Sequence, residues 1–487
     1  VISDQPLADV VPLKQEKGAV ITQYSMNPVV DAGLVKMDFL GLKTLTIIRH
    51  AIEAIKRNHG VEVDVGTIPL DDPKTYQLLS QADTLAVFQL ESEGMRALLR
   101  QLQPAKFEHC IALVALYRPG PMDSAPEFCA GRHGQPIQYL HPLLEPILEE
   151  TYGVILYQEQ VMRVATDVAG FSMPQAEIIM RAMAKKQTQK MLQMKPLFFE
   201  GCIKNGVPED TVQQIWDRME TFSNYGFNKS HSAAYGLVAY WTAYLKAHWP
   251  AELLAAQLTS VMDATEEVAK YVTECLRLGL NVRPPNVNLS DAAFAVKGGD
   301  VIFGLGAIKN FGPSAAQQIV DERESHGVFA SLADFCRRLA PLNLNKASVK
   351  TLIQAGALSE LGERNALLAG LDACYAAAQK QQADAARGQS SLFDDMESDE
   401  TIAAADALPK VPPMPSDESM ALERELLGIY LSDHPLLRNR EKLAKCSTAT
   451  IGELHEFPEK TKLLIGGMIS AMKPYRTRSG DTMLFFT

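Results

Sequence analysis

The sequence predicts a mainly α chain with small β elements, in a multidomain α+β arrangement. Three observations predict it. Apolar residues recur at helical spacing over most of 75–260 and again over 313–383. Strand-like alternation is confined to short stretches at 33–42, at 280–306 and from Leu463 onward. The chain has 487 residues, and at roughly 150 residues per domain that is about three domains.

Composition narrows the class. Hydrophobic residues make up 47% and charged residues 22%, which excludes a wholly disordered chain, a collagen and a disulfide-stapled miniprotein. No apolar run reaches the ~18 residues of a membrane helix. The opening Val-Ile-Ser-Asp carries neither the basic nor the apolar part of a leader. The chain starts without Met and ends on Phe485-Phe486-Thr487 inside a strand pattern, so the expectation is a piece of a longer protein. Seven cysteines are widely spaced with no C-x-x-C among them. Zinc knuckles and dithiol redox sites are therefore not expected; reduced, buried thiols in a cytoplasmic protein are.

Taken in order, GLVKMDFLGL at 33–42 reads as a strand with Val35, Met37 and Phe39 on one face and Lys36 and Asp38 on the other. A helix follows at about 44–57, with Ile48, Ile52 and Ile55 on one stripe and Gly60 past its end. Helices then succeed one another to 260, broken at Pro104, Pro119-Gly120-Pro121, Gly134, Pro142 and Gly153. VRPPNVN, AFAV and VIFGLG suggest a small β element at 280–306. The Ala/Gln-rich run 376–388 leads into the acidic, Pro-bearing stretch 394–418, a composition that buries little and reads as a linker. The last 25 residues look like a hairpin around Arg478-Ser479-Gly480-Asp481.

The net charge is -11, but residues 394–425 hold ten acids and two bases, so the remaining chain carries only -3. Residues 178–199 hold Arg181, Lys185, Lys186, Lys190 and Lys195 with no acid. A local positive field can attract phosphates under a negative total.

Five segments carry chemistry. Lys36 and Asp38 share a strand face, a pairing that suits Mg²⁺ beside a polyphosphate; taken on its own the pair reads first as a surface ion pair. In PQAEIIMRAMAKKQTQK, Arg181 and Lys185 stack on one helical face while Ile178, Ile179, Ala182 and Met183 turn to the core. That cationic face suits a triphosphate or a DNA backbone, or is a solvated helix face. Asn228, Lys229, Ser230 and His231 open an otherwise apolar, aromatic helix, where polar donors and the helix dipole suit an anion or a nucleotide edge. Aromatics there can stack bases, although most of 235–249 reads as core. Asn310-Phe311-Gly312, followed by Ala316 and Ile319, fits a helix–hairpin–helix with Asn in place of the first Gly. Asn tolerates positive φ, and Lys309, Asn310, Gly312 and Ser314 become candidate DNA-phosphate contacts. Gln389-Ser390-Ser391-Leu392-Phe393 places an apolar pair in a polar stretch, the form of a short docking peptide.

These segments, with AVFQLES, ALYRPGPM and YGVILYQEQVM between them, closely resemble the bacterial family C replicative DNA polymerases, the polymerase III α subunits. The resemblance runs over essentially the whole chain. It implies the end of a polymerase palm at 1–43, helical fingers at 44–265 and a helix-hairpin-helix domain at 266–385. An acidic linker at 386–425, a connecting segment at 426–461 and the start of an OB-fold at 462–487 would follow. It implies that Asp38 is a catalytic carboxylate and Mg²⁺ ligand, with Lys36 beside it. Arg118 of the RPGP turn, Arg181, Lys185, Phe227, Asn228, Lys229, Ser230 and His231 would bind the nucleotide. Gln389, Leu392 and Phe393 would bind a sliding clamp. Primer-template DNA, dNTPs and other replicase subunits are the further partners implied, with no membrane. The family's other two catalytic aspartates form a D-x-D pair, and none precedes Asp38 here, so this piece alone is not expected to polymerise. A lesion-bypass paralogue and a non-catalytic DNA- and clamp-binding protein are the alternative readings.

Overall fold

Contacts divide the chain into two units in the computed structural model, Val1–Thr46 and Ile47–Thr487. The structure describes all residues except 38–40, 185–187, 224–226, 343, 387–406, 433–439, 451, 453, 455, 456, 459, 470, 471, 478–481 and 487.

In the first unit, Leu13–Glu16 pairs antiparallel with Ala19–Thr22, Leu13 opposite Thr22. Lys17 (φ 50°) and Gly18 (φ 83°) make the two-residue turn; positive φ at both positions matches the right-handed twist of the strands. Val11, Val29 and Leu34 form its small core. The strand expected at 33–42 does not form over the described residues 33–37 and 41–42. Val35 makes a single bridge to Ile2, and Leu34 is the residue that is buried while Val35 and Met37 are exposed. Alternation alone identified two faces but not the one that turns inward.

The second unit is built from helices in successive cores. Lys43–His59 crosses the boundary between the units, and its Ile47, Ile48, Ala51 and Ile55 pack with Val238, Leu245 and Leu253. Phe107–Leu116 is apolar on nearly every side and is buried from His109 to Leu116. It lies against Lys229–His248, where Gly236 lets the backbones approach: a Cβ there would stand 3.2 Å from the Ile111 backbone. A third core gathers Leu144 to Met219, including the buried Trp216 and Phe198. The largest core gathers Ala86 with residues from Ala251 to Leu427. It contains the β element expected at 280–306, a three-stranded sheet ordered Val282–Arg283, Asp300–Ile302, Ala295–Lys297, with the first pair parallel and the second antiparallel.

One expectation about the following segment is met and one is corrected. The Ala/Gln run ends the helix Arg364–Ala386, close to the limit of about 383 that the helical spacing suggests, because Ala and Gln are strong helix formers whatever they bury. Residues 416–427 also form a helix, and Met420, Glu423, Leu426 and Leu427 are buried. The Arg364 guanidinium reaches it, donating from Nη1 to Ser419 Oγ at 2.6 Å. At the end of the chain, Met472–Arg476 pairs antiparallel with Thr482–Phe486, all exposed; the turn residues 478–481 lie outside the described residues. Five of the seven cysteines are buried and none is in a disulfide. Among the described residues no helix is long and apolar enough to cross a membrane.

Candidate functional site

Asn228 opens the Lys229–His248 helix. Its backbone is extended (φ -76°, ψ 124°), and its Oδ1 accepts from the His231 N–H at 3.0 Å, satisfying one of the helix's orphan donors. The Lys229 N–H donates to both Glu159 oxygens, at 3.0 and 2.9 Å, and Lys229 Nζ donates to Glu150 Oε2 at 2.6 Å. This corrects the expectation of an open, positive helix end. A carboxylate from Gln158–Arg163 already sits there, so the dipole is spent inside the protein. The cause is local: Tyr157 bridges to Phe227 in parallel, and the Gln158 N–H donates to Phe227 O at 2.9 Å. That pairing brings Glu159 against Lys229.

The outward side of the same helix end is aromatic. Phe227, His231 and Tyr235 recur every four residues and therefore stand on one face. Phe227 and His231 meet edge to face at 5.2 Å, His231 and Tyr235 stack at 4.3 Å with planes 26° apart, and Tyr235 meets Phe88 at 5.5 Å. The Arg118 guanidinium lies 3.9 Å from the Phe227 ring centre, closing the row with a cation. Such a contact is worth about 0.5–1 kcal/mol at an exposed site. Arg118 is held by its turn: Gly120 has φ 103°, which suits a residue with no Cβ, and the Met122 N–H donates to Arg118 O at 3.2 Å. Arg118, Asn228, Ser230 and His231 are exposed, and Phe227, Lys229, Tyr235 and Phe88 are half-buried. An exposed π surface flanked by a guanidinium can stack a base and hold a phosphate. Farther along, Tyr240 is fully buried, its hydroxyl donating to Pro69 O at 2.8 Å, so that part of the helix is core.

The basic helix differs from its expected form. Arg181 is exposed but pairs with Glu177, four residues earlier, at 2.6 Å. The stretch free of acids starts one residue too late to leave Arg181 alone. Ile179, Ala182 and Met183 are buried as expected, whereas Ile178 is exposed. Lys195 lies over Phe199 and Trp216 at 5.4 and 5.7 Å. Lys185 lies outside the described residues.

The hairpin of 304–323 forms as its residues suggest. Asn310 adopts φ 64°, Phe311, Ala316 and Ile319 are buried, and Gly312 precedes the helix Pro313–His326. Lys309, Asn310, Gly312 and Ser314 are all exposed. Gly312 has no side chain to cap that helix, Pro313 at its start has no N–H, and the Ala316 N–H donates to Gly312 O at 3.1 Å. The Lys309 N–H is not among the available donors, because it donates to Leu426 O at 2.9 Å.

Lys36 is exposed in the first unit. Asp38, Gln389, Leu392 and Phe393 lie outside the described residues. Among the described residues no group of three or more His, Cys, Asp or Glu is placed to hold a metal ion. The sequence pattern included Tyr235 among the aromatics of this helix but missed Glu150, Glu159, Tyr157 and Phe88 as parts of this region. Tyr157, Glu159 and Phe88 lie in the segments YGVILYQEQVM and AVFQLES, which spacing alone could not join to 225–235; Glu150 lies in neither.

Comparison with known proteins matches the bacterial DNA polymerase III alpha subunit finger domain over residues 44–206. The bacterial DNA polymerase III alpha NTPase domain matches over 1–41 and a helix-hairpin-helix motif over 279–368. The DNA polymerase III subunit alpha of Thermus aquaticus is 44% identical over 100% of this chain and 40% of its own length. Those of Aquifex aeolicus and Bacillus subtilis are 40% and 39% identical over 100% of this chain, and 40% and 43% of their own lengths. The chain belongs to the bacterial DNA polymerase III α-subunit family. It spans about two fifths of the length of these polymerase III α relatives. The row Phe88–Tyr235–His231–Phe227–Arg118 joins residues inside the matched finger domain to residues beyond it.

Proposed function

We propose that this chain is the fingers-bearing part of a replicative DNA polymerase catalytic subunit, which copies a template 5′ to 3′ from dNTPs. The observation that carries the proposal is the part-exposed row of rings ended by Arg118, in a chain whose relatives are named as polymerase III α subunits. A base stacks on His231 and Tyr235, and the Arg118 guanidinium, with five donors in a fixed fork, meets phosphate oxygens. Ser230 and Asn228 offer hydroxyl and amide contacts from the same exposed turn. Glu159 and Glu150 fix Lys229 in place, so that its charge is partly spent on position. Arg181, Lys185 and Lys36 are proposed to add positive charge for the triphosphate. Asp38 is proposed as one carboxylate ligand of Mg²⁺, which when bound would neutralise charge on the transferring phosphate and the leaving pyrophosphate.

In the complete protein, Asp38→Ala is expected to lower nucleotide incorporation by about a thousandfold, while primer-template affinity stays within about twofold. Incorporation retained in single-turnover assays would remove Asp38 from the ligand set. The same protein is proposed to dock on a sliding clamp through Gln389, Leu392 and Phe393, the apolar pair filling a pocket. Changing Leu392 and Phe393 together to Ala should abolish retention on immobilised clamp; undiminished retention refutes that role.

A further inference from the structure

One helix grips both ends of a single short loop. The loop, 82–91, joins the helices Pro73–Ser80 and Glu93–Leu102 and includes the segment AVFQLES. At its start, Asp83 Oδ1 accepts from Lys246 Nζ at 3.1 Å and from the Arg277 guanidinium. Glu274 holds both cations in turn, Arg277 Nε at 2.7 Å and Lys246 Nζ at 2.6 Å. At its end, Glu91 Oε2 accepts from the Tyr271 hydroxyl at 3.2 Å, and Lys270 Nζ stands 3.6 Å from the same oxygen. Lys270, Tyr271, Glu274 and Arg277 all belong to the helix Thr265–Arg277, which lies beyond the matched finger domain at 44–206.

Between these grips the loop makes two successive turns. The Val87 N–H donates to Thr84 O and the Leu90 N–H to Val87 O, both at 3.0 Å. Phe88 stands at the corner of the second turn. Its N–H donates to Thr242 Oγ1 at 3.0 Å, and its ring lies 5.5 Å from Tyr235, at the end of the row that Arg118 begins. Ala86, just before it, is buried with φ 66°, a region unfavourable for a residue with a Cβ. The Ala86 backbone hydrogen-bonds the Glu91 carboxylate. Glu91 therefore ties the backbone ahead of Phe88 to the helix Thr265–Arg277. Burial pushes its carboxyl above the ordinary range, against the pull of Lys270 and the Tyr271 hydroxyl. An apolar side chain would avoid that cost but could not accept from the loop and the helix together.

We propose that Glu91 is a positioning residue: by holding Ala86 on one side and Tyr271 on the other, it sets the Phe88 ring against Tyr235 and so fixes the surface on which a base stacks. This deepens the polymerase proposal and rests on it. Without the carboxylate, the buried Ala86 N–H loses its acceptor. The left-handed turn then loses the contact that holds it, and Phe88, two residues on, shifts from Tyr235. The loss falls on nucleotide binding, because Glu91 acts through a stacking ring and not on the transferring phosphate.

A double-mutant cycle in the complete protein tests this. Glu91→Ala should raise the KM for dNTPs about tenfold, the size of one base-stacking contact, with kcat within about twofold of the wild type. Glu91→Gln keeps an oxygen acceptor for both partners and should stay within about threefold. Phe88→Ala should also raise KM about tenfold. Adding Glu91→Ala to it should change KM by less than about twofold, because both act through one ring. Where Glu91→Ala fails to fold, Tyr271→Phe takes its place, since it keeps the ring in the core and removes the hydroxyl alone. Its KM should rise about threefold, with no further rise in the Phe88→Ala background. The proposal is overturned by a KM within about twofold of the wild type in Glu91→Ala or unchanged in Tyr271→Phe. It is equally overturned by effects that multiply with those of Phe88→Ala, or by a loss in kcat in place of KM. A wild-type protein that extends no primer is a different result; it overturns the polymerase proposal, and the role of Glu91 falls with it.

Discussion

His109 shows how one buried group links pH to stability. It is 2% exposed within the apolar helix Phe107–Leu116. Its Nδ1 accepts from the Ala105 N–H at 3.0 Å, which places the ring proton on Nε2, 2.7 Å from the Tyr152 hydroxyl. Burial, then the charges of Arg132 and Lys106, push its pKa from 6.5 down to about 3. Between those values the unfolded chain binds a proton that the folded chain refuses. Stability from this residue is therefore complete above pH 6.5 and falls as the pH drops toward 3. The slope is at most about 1.4 kcal/mol per pH unit, one proton's worth. His109→Gln should be less stable at pH 7 but should lose less between pH 7 and pH 5 than the wild type does, as read by urea unfolding at each pH. Equal losses would mean that His109 titrates normally in the folded protein.

Elements were legible wherever a local pattern and the backbone demanded the same thing. The stripe of Ile48 and Ile55 is buried as its helical spacing suggests, and Asn310 takes the left-handed backbone expected of its place in the hairpin. The strand at 33–42 was misjudged because alternation does not say which face finds a core, and Leu34, not Val35, does. Ser416–Leu427 was misjudged because composition counts charges without their partners. Glu423 is buried, yet it accepts from the Leu431 and Ser432 N–H groups at 3.1 Å and from the Ser432 hydroxyl at 2.6 Å, within 3.9 Å of Arg364. Lys246 makes the same point in a stretch read as core. It is buried, with Nζ 2.6 Å from Glu274 and 3.1 Å from Asp83. Burial opposes the charge on Glu274, but hydrogen bonds from Arg277 and Lys246 outweigh it and hold its carboxyl below the ordinary range. The start of the helix at Asn228–Lys229 was readable in the sequence; the approach of Glu159 and Phe88 was not, because only tertiary pairing brings them to that helix.

At the scale of the whole molecule, the charge budget separates total from local field. Residues 394–425 supply most of the -11, so the DNA affinity proposed for this chain has to come from small exposed sites rather than from the sum. The hairpin before Pro313–His326 is proposed as such a site. Its helix start has no side-chain cap, and Lys309 and Ser314 stand exposed beside it. The Lys309 N–H is tied to Leu426 O at 2.9 Å, so Ser416–Leu427 braces the hairpin from behind and leaves the Lys309 ammonium to act as a point charge. A lysine that meets one phosphate displaces about one condensed counterion and reads no base. Lys309→Ala in the complete protein should therefore weaken binding to duplexes of different sequence by a common factor. It should also reduce the slope of log affinity against log salt concentration by about one. Fluorescence anisotropy titrations on two unrelated duplexes at several salt concentrations measure both effects. A slope equal to the wild type's would take Lys309 off the DNA, and a loss confined to one sequence would make it a base reader and overturn the proposed phosphate contact.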